Sequence, residues 1–277
     1  MAAPLKTFRA RRWTLSLATL VAAGLLAGGW ALGRMALRPT AMQSGVLLLA
    51  LVAGLILFNA RKKLPFIPLL KASTWLQLHI YVGWLTVVLF ALHTGLRWPS
   101  GRLGIVLAVL FLVVAVSGVF GLWLSRWLPP RLTRSGESLI YERIPLLRHR
   151  LQEEARVMAQ QAVEETHSTT LADFYLKMLG PYLAAEPGWL SPFLHDDRQH
   201  HRVEAELREL RRYLASSEMI LAERLEEMIE AKRNLDLQLA GQRLLKVWLF
   251  VHIPLSYGLL MLSLVHGWLA LRYSGRW

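Results

Sequence analysis

The chain has 277 residues, 54% of them hydrophobic, with no cysteine and a formal net charge of +13. The missing cysteine excludes disulfides, thiolate-held iron–sulfur clusters and covalently attached c-type haem. The charge excludes nucleic acid as the natural partner once it is mapped: all 19 acidic residues fall between Glu137 and Asp236, where 18 basic residues between Arg126 and Lys246 offset them. The other 14 basic residues stand at the ends of apolar runs, as headgroup anchors do, and no basic stripe with base-stacking aromatics accompanies them.

In chain order, Lys6, Arg9, Arg11 and Arg12 precede an apolar run from Trp13 to about Leu32, and residues 1–33 read as an uncleaved anchor or a signal peptide. A second run, Val46 to Ala60, spans a bilayer if its helix starts near Met42. A proline-broken connector, Leu64 to Pro68, leads to the third span, Trp75 to Leu96. A tight loop, Arg97 to Arg102, turns into the fourth, Leu103 to Leu124, and the fifth is Val247 to Leu271. Trp13, Trp75, Trp98, Trp123, Trp127, Trp248, Trp268 and Trp277 fall near these boundaries, as an interfacial belt requires, whereas Trp84 reads as core filling.

The predicted fold is all-α: a polytopic membrane helix bundle of about five transmembrane helices (residues 1–125 and 247–277) with a soluble, charged helical insert (126–246). The insert reads as a helix over Gly136–Thr166 despite Pro145, a shorter one over Leu171–Leu183, a loop from Pro187 to Pro192, and one long helix from Val203 to about Leu245. No breaker falls between Leu244 and His252, so that helix is expected to run into the fifth span, with Pro254 bending it. The Lys/Arg bias of the flanks puts the N-terminus and insert in the cytoplasm and the C-terminus outside, in a multi-pass inner-membrane arrangement. Spans three and five then run in the same direction.

Four of the nine histidines lie in membrane segments, and they form two matched pairs: His79 and His93 in span three, His252 and His266 in span five, each 14 residues apart. That spacing is close to four turns, so each pair shares a face, with the two members about 21 Å apart along the axis, one per leaflet. Ionisable groups in a bilayer are costly and no intramembrane carboxylate pairs with these. Haem iron held by two axial imidazoles supplies a partner, with His79 and His252 on an inner haem b and His93 and His266 on an outer one. Zinc or copper is the rival, but two ligands per level are few for Zn²⁺. Gly83, Gly267, Ser117, Gly118, Gly121, Gly24, Gly28 and Gly29 are small enough to admit a porphyrin or simply to pack helices closely. Arg97, one turn beyond His93, suits a haem propionate or an interfacial anchor; Lys71, Arg126 and Lys246 are weaker candidates at the inner site. His195-Asp196-Asp197 and His200-His201 carry metal-ligand side chains but read as a solvated loop and helix start.

On these four histidines the chain resembles the diheme cytochrome b families, including the b subunit of bc-type quinol oxidoreductases, over spans three to five only. The resemblance implies two non-covalent b haems and electron transfer between the membrane faces. No Pro-Glu-Trp motif of a quinol oxidation site is present, and a long insert separates the ligand helices. With no G-x-G-x-x-G fingerprint, the electron donor is expected to be a separate protein, and no residue is assigned a catalytic role. The expected role is an electron-transfer subunit of a larger redox complex, embedded in lipid, with an iron–sulfur or other redox protein docking on the insert and a c-type cytochrome or quinone as further partners. A self-contained quinone or ferric reductase, and a non-redox scaffold or sensor with packing histidines, remain the alternatives.

Overall fold

A computed structural model of the chain describes residues 5–37, 40–60, 72–128, 141–166, 169–188 and 198–273. The connector 64–68, residues 136–140, Lys71, His167 and His195–Asp197 lie outside them. The described residues contain helices and no strand: α1 (Leu5–Met35), α2 (Thr40–Ala60), α3 (Ala72–His93), α4 (Arg102–Trp127), α5 (Ile144–Thr166), α6 (Thr170–Phe174), α7 (Gly180–Ala184), α8 (Arg198–Leu210) and α9 (Ser216–Tyr273). A 3₁₀ turn (Tyr141–Arg143) precedes α5 and a π-helical turn (Tyr175–Leu179) joins α6 to α7. The chain forms two compact units, Met1–Leu122 with Leu249–Trp277, and Trp123–Trp248.

The first unit is a membrane bundle. α1 to α4 and the apolar part of α9 give five helices long and apolar enough to cross a bilayer. Their outward faces are as apolar as their contacts: Leu25, Val116, Phe250 and Met261 are all exposed. That pattern is what a hydrocarbon solvent demands, because lipid supplies no reason to hide a leucine. α3 packs closely on α1 and α2. The Tyr81 hydroxyl on α3 donates to the Arg12 carbonyl on α1 at 3.2 Å. In the bundle interior Val52 (α2), Phe111 (α4) and Leu259 (α9) are buried, and Phe90 stacks on Phe111 with centroids 4.2 Å apart. Trp84 departs from the expectation of core filling: it is 47% exposed.

The second unit is a helical insert with a core of its own. Leu171, Leu179, Leu183, Leu207, Leu225 and Ile229 are essentially inaccessible. Each is worth roughly 1.5–3 kcal/mol of transfer free energy. Pro145 is tolerated because α5 starts at Ile144, so the ring sits in the first turn, where a missing N–H costs nothing. The expected single helix over 203–245 is divided instead. α8 ends at Leu210 and α9 begins at Ser216, with the Glu218 carboxylate accepting the Ala215 N–H at 3.0 Å. This is the reciprocal half of a capping box, with glutamate at the third helical position. α9 then continues without a break to Tyr273, with Pro254 inside it.

Candidate functional site

His93 is the last residue of α3, and the sequence fixes that end. The Leu96 N–H bonds the Ala91 carbonyl at 2.9 Å and the Gly95 N–H bonds Leu92 at 3.1 Å, with Gly95 at φ 61°. These are the two bonds of a Schellman motif, whose left-handed residue glycine adopts without steric cost. α2 holds the ring from behind. His93 Nδ1 lies 3.1 Å from the Ala41 carbonyl and 3.2 Å from Ser44 Oγ. The hydroxyl of Ser44 itself donates back to the Thr40 carbonyl at 2.7 Å, so Nδ1–H donates and Nε2 keeps its lone pair. Gly45 makes this approach possible, because a Cβ there would sit 2.9 Å from His93 Cε1.

Across from it, His266 on α9 places its ring centre 6.4 Å from that of His93, with the planes at 82°. Two imidazoles on opposite sides of one metal, with bonds of about 2 Å, stand with ring centres roughly 6 Å apart. Both rings line a cavity of about 1180 Å³ walled by α2, α3, α4 and α9, together with Gly45, Phe90, Arg97 and Trp98. Pockets for sizeable organic ligands run to about 1,000 Å³, so the space suits a macrocycle. Arg97 is exposed and lines the cavity, but α3 ends at His93, so it reaches the cavity from the loop beyond the helix rather than from the next turn of the same face.

The second pair is assembled in the same manner. His252 Nδ1 lies 3.1 Å from Ser117 Oγ on α4, and a Cβ on Gly118 would meet the His252 ring at 3.7 Å. His79 lies within electrostatic reach of His252, with its ring beside the Leu55 carbonyl of α2. The structure thus sets His93 against His266 at 6.4 Å between ring centres and places His79 in the electrostatic neighbourhood of His252. All four rings are half-buried.

Other sequence candidates fare unevenly. Ser117 and Gly118 touch a histidine. A Cβ on Gly24, Gly28, Gly29 or Gly83 would meet nothing within 4 Å, and on Gly267 it would meet Leu49. Gly121 is buried, Arg126 is exposed, and the Lys246 ammonium sits 3.4 Å over the Tyr141 ring. Sequence reasoning placed α2 as a span but gave it no part in the site, whereas Ala41, Ser44, Gly45 and Leu55 back the histidines. His200 corrects the expectation of a solvated helix start, since it is 4% exposed and packed against Tyr182.

Compared with known proteins, the chain matches no family model, no curated protein and no solved structure.

Proposed function

We propose that the protein is a membrane b-type cytochrome, of the kind the diheme cytochrome b families represent, which carries electrons between the two membrane faces as a subunit of a larger redox complex. The observation that carries this reading is the His93–His266 pair, 6.4 Å between ring centres on the wall of a large apolar cavity. When bound, haem supplies reversible one-electron chemistry at iron. His93 and His266 would hold the outer haem iron, and His79 and His252 the inner one. The chain's own work is ligation and environment. The Ala41 carbonyl and Ser117 hydroxyl orient the His93 and His252 rings, which raises ligand basicity and fixes which nitrogen faces the cavity. Gly45 leaves room for the ring, Phe90 and Phe111 keep water out, and Arg97 at the rim is placed to bind a carboxylate by paired hydrogen bonds. The insert faces the cytoplasm, by the positive-inside bias of the flanks, and is the docking surface for a soluble or iron–sulfur donor, with a c-type cytochrome or quinone meeting the outer haem.

The test is a reduced-minus-oxidised spectrum with haem-to-protein stoichiometry on the wild type, His79→Ala and His266→Ala. Two b haems per chain, with each variant losing one, is the expected result. A colourless wild type overturns the proposal and leaves a scaffold whose histidines pack.

A further inference from the structure

A separate cluster lies in the insert. His200 and His201 begin α8, Glu204 follows one turn later on the same helix, and Glu230 faces them from α9. His200 Nε2 lies 3.4 Å from Glu230 Oε1 and 3.8 Å from Glu204 Oε2, and His201 Nδ1 lies 3.6 Å from that same Glu204 oxygen. The ligand atoms of His200, His201 and Glu204 all fall within 4.8 Å of one another. We propose that these four side chains form a Zn²⁺ site that pins α8 to α9, independent of the membrane histidines.

Three observations support it. First, bonds of about 2.0–2.1 Å in a tetrahedron set donor atoms roughly 3.3 Å apart; the His200–Glu230, His201–Glu204 and His200–Glu204 spacings of 3.4, 3.6 and 3.8 Å stand near that value, and rotation of the exposed His201 side chain closes the rest of a group already within 4.8 Å. Second, His200 Nε2 faces two carboxylates at once, Glu230 at 3.4 Å and Glu204 at 3.8 Å, so the three groups converge on one small anionic space. A cation placed there is attracted by both carboxylates and accepts the imidazole lone pair. Third, the surroundings hold the donors in place. The Tyr182 hydroxyl sits 3.3 Å from His200 Nδ1, which orients the ring, and Arg208 Nη2 binds the other Glu204 oxygen at 3.0 Å. Arg233 Nη1 lies 3.7 Å from Glu230 Oε1, and the metal must displace it from that oxygen. The site has a buried end, the His200 side chain at 5% exposure, and an open end, His201 at 68%, through which an ion enters. Two imidazoles and two carboxylates without thiolate suit Zn²⁺ better than Cu⁺ or Mg²⁺.

The test uses the full chain in detergent, as isolated, with affinity tags removed and chelator-washed. Zn²⁺ alone is added by equilibrium dialysis and bound zinc is measured by atomic emission. His201→Ala and Glu204→Gln leave the buried His200 in place, so the fold stays intact. One zinc per wild-type chain is expected, with affinity at least tenfold lower in each variant. Amide exchange over 198–210 should slow on adding zinc to the wild type and stay unchanged in the variants. No stoichiometric zinc in the wild type, or equal binding by all three proteins, overturns the site.

Discussion

At the scale of single residues, Gly45 governs the outer pair more than any residue except the histidines. With a Cβ only 2.9 Å from His93 Cε1, Gly45→Val must push the ring or α2 aside. The expected outcome is a chain that keeps one b haem of two, seen as half the wild-type absorbance per protein; two haems in this variant would show that the ring has room to spare. Ser117→Ala removes the partner of His252 Nδ1 at 3.1 Å without altering volume much. Loss of such a support weakens metal affinity by about 10–100-fold, so haem should pass faster from this variant to an apo-globin acceptor. The spacing of the histidines was legible because helical period turns sequence distance directly into geometry. Gly45, Ser44 and Leu55 were not, because they depend on how α2 registers against α3, and a single chain's periodicity carries no inter-helix register.

At the scale of elements, ends proved harder to read than middles. The capping glutamate at Glu218 separates α8 from α9, yet the leucine pattern runs on in phase across the break, so periodicity alone joined them. Glu218→Ala should cost about 1 kcal/mol locally, read as faster amide exchange at residues 216–219 with the rest of α9 unchanged. Inside α9, the Lys232 ammonium bonds Asp236, and Arg148 Nε lies 3.3 Å from the same carboxyl. Desolvation dominates this cluster: burial pushes the Asp236 carboxyl up and the Lys232 amine down, against the attraction between them. Each charge is therefore held at a cost near neutral pH, and the signs differ. The Asp236 contribution improves as pH falls through its raised folded value, and that of Lys232 improves as pH rises through its lowered one. Removing one partner strands the others, so Asp236→Ala should destabilise the insert by roughly 3–5 kcal/mol, while Lys232→Met with Asp236→Leu should be far milder. Denaturant unfolding of the full chain, followed by exchange in the insert, distinguishes the two.

At the scale of the molecule, the all-α membrane architecture was readable from apolar run length, since a bilayer imposes that length on any helix crossing it. Burial inside the insert was less so: His200 looks polar by composition and lies in the core because three helices converge on it. The proposed orientation is open to direct measurement, because the chain has no cysteine of its own. Tyr213, 78% exposed in the turn between α8 and α9, tolerates a single introduced thiol. Tyr213→Cys should resist a membrane-impermeant maleimide in intact cells and react after lysis. Labelling before lysis would reverse the orientation.

The packing of α2 behind His93 also has a meaning in time. The ribosome delivers α2 and α3 together, but His252 follows His93 by about 160 residues. At roughly 5–20 residues per second, α3 waits on the order of ten to thirty seconds for the helix that completes either pair. The restraint on the His93 ring from the Ala41 carbonyl needs only α2 and α3, which are both made by then. On the proposed function, the later helix closes both pairs in a single event, and cofactor capture is then the last step of assembly rather than a seed for it.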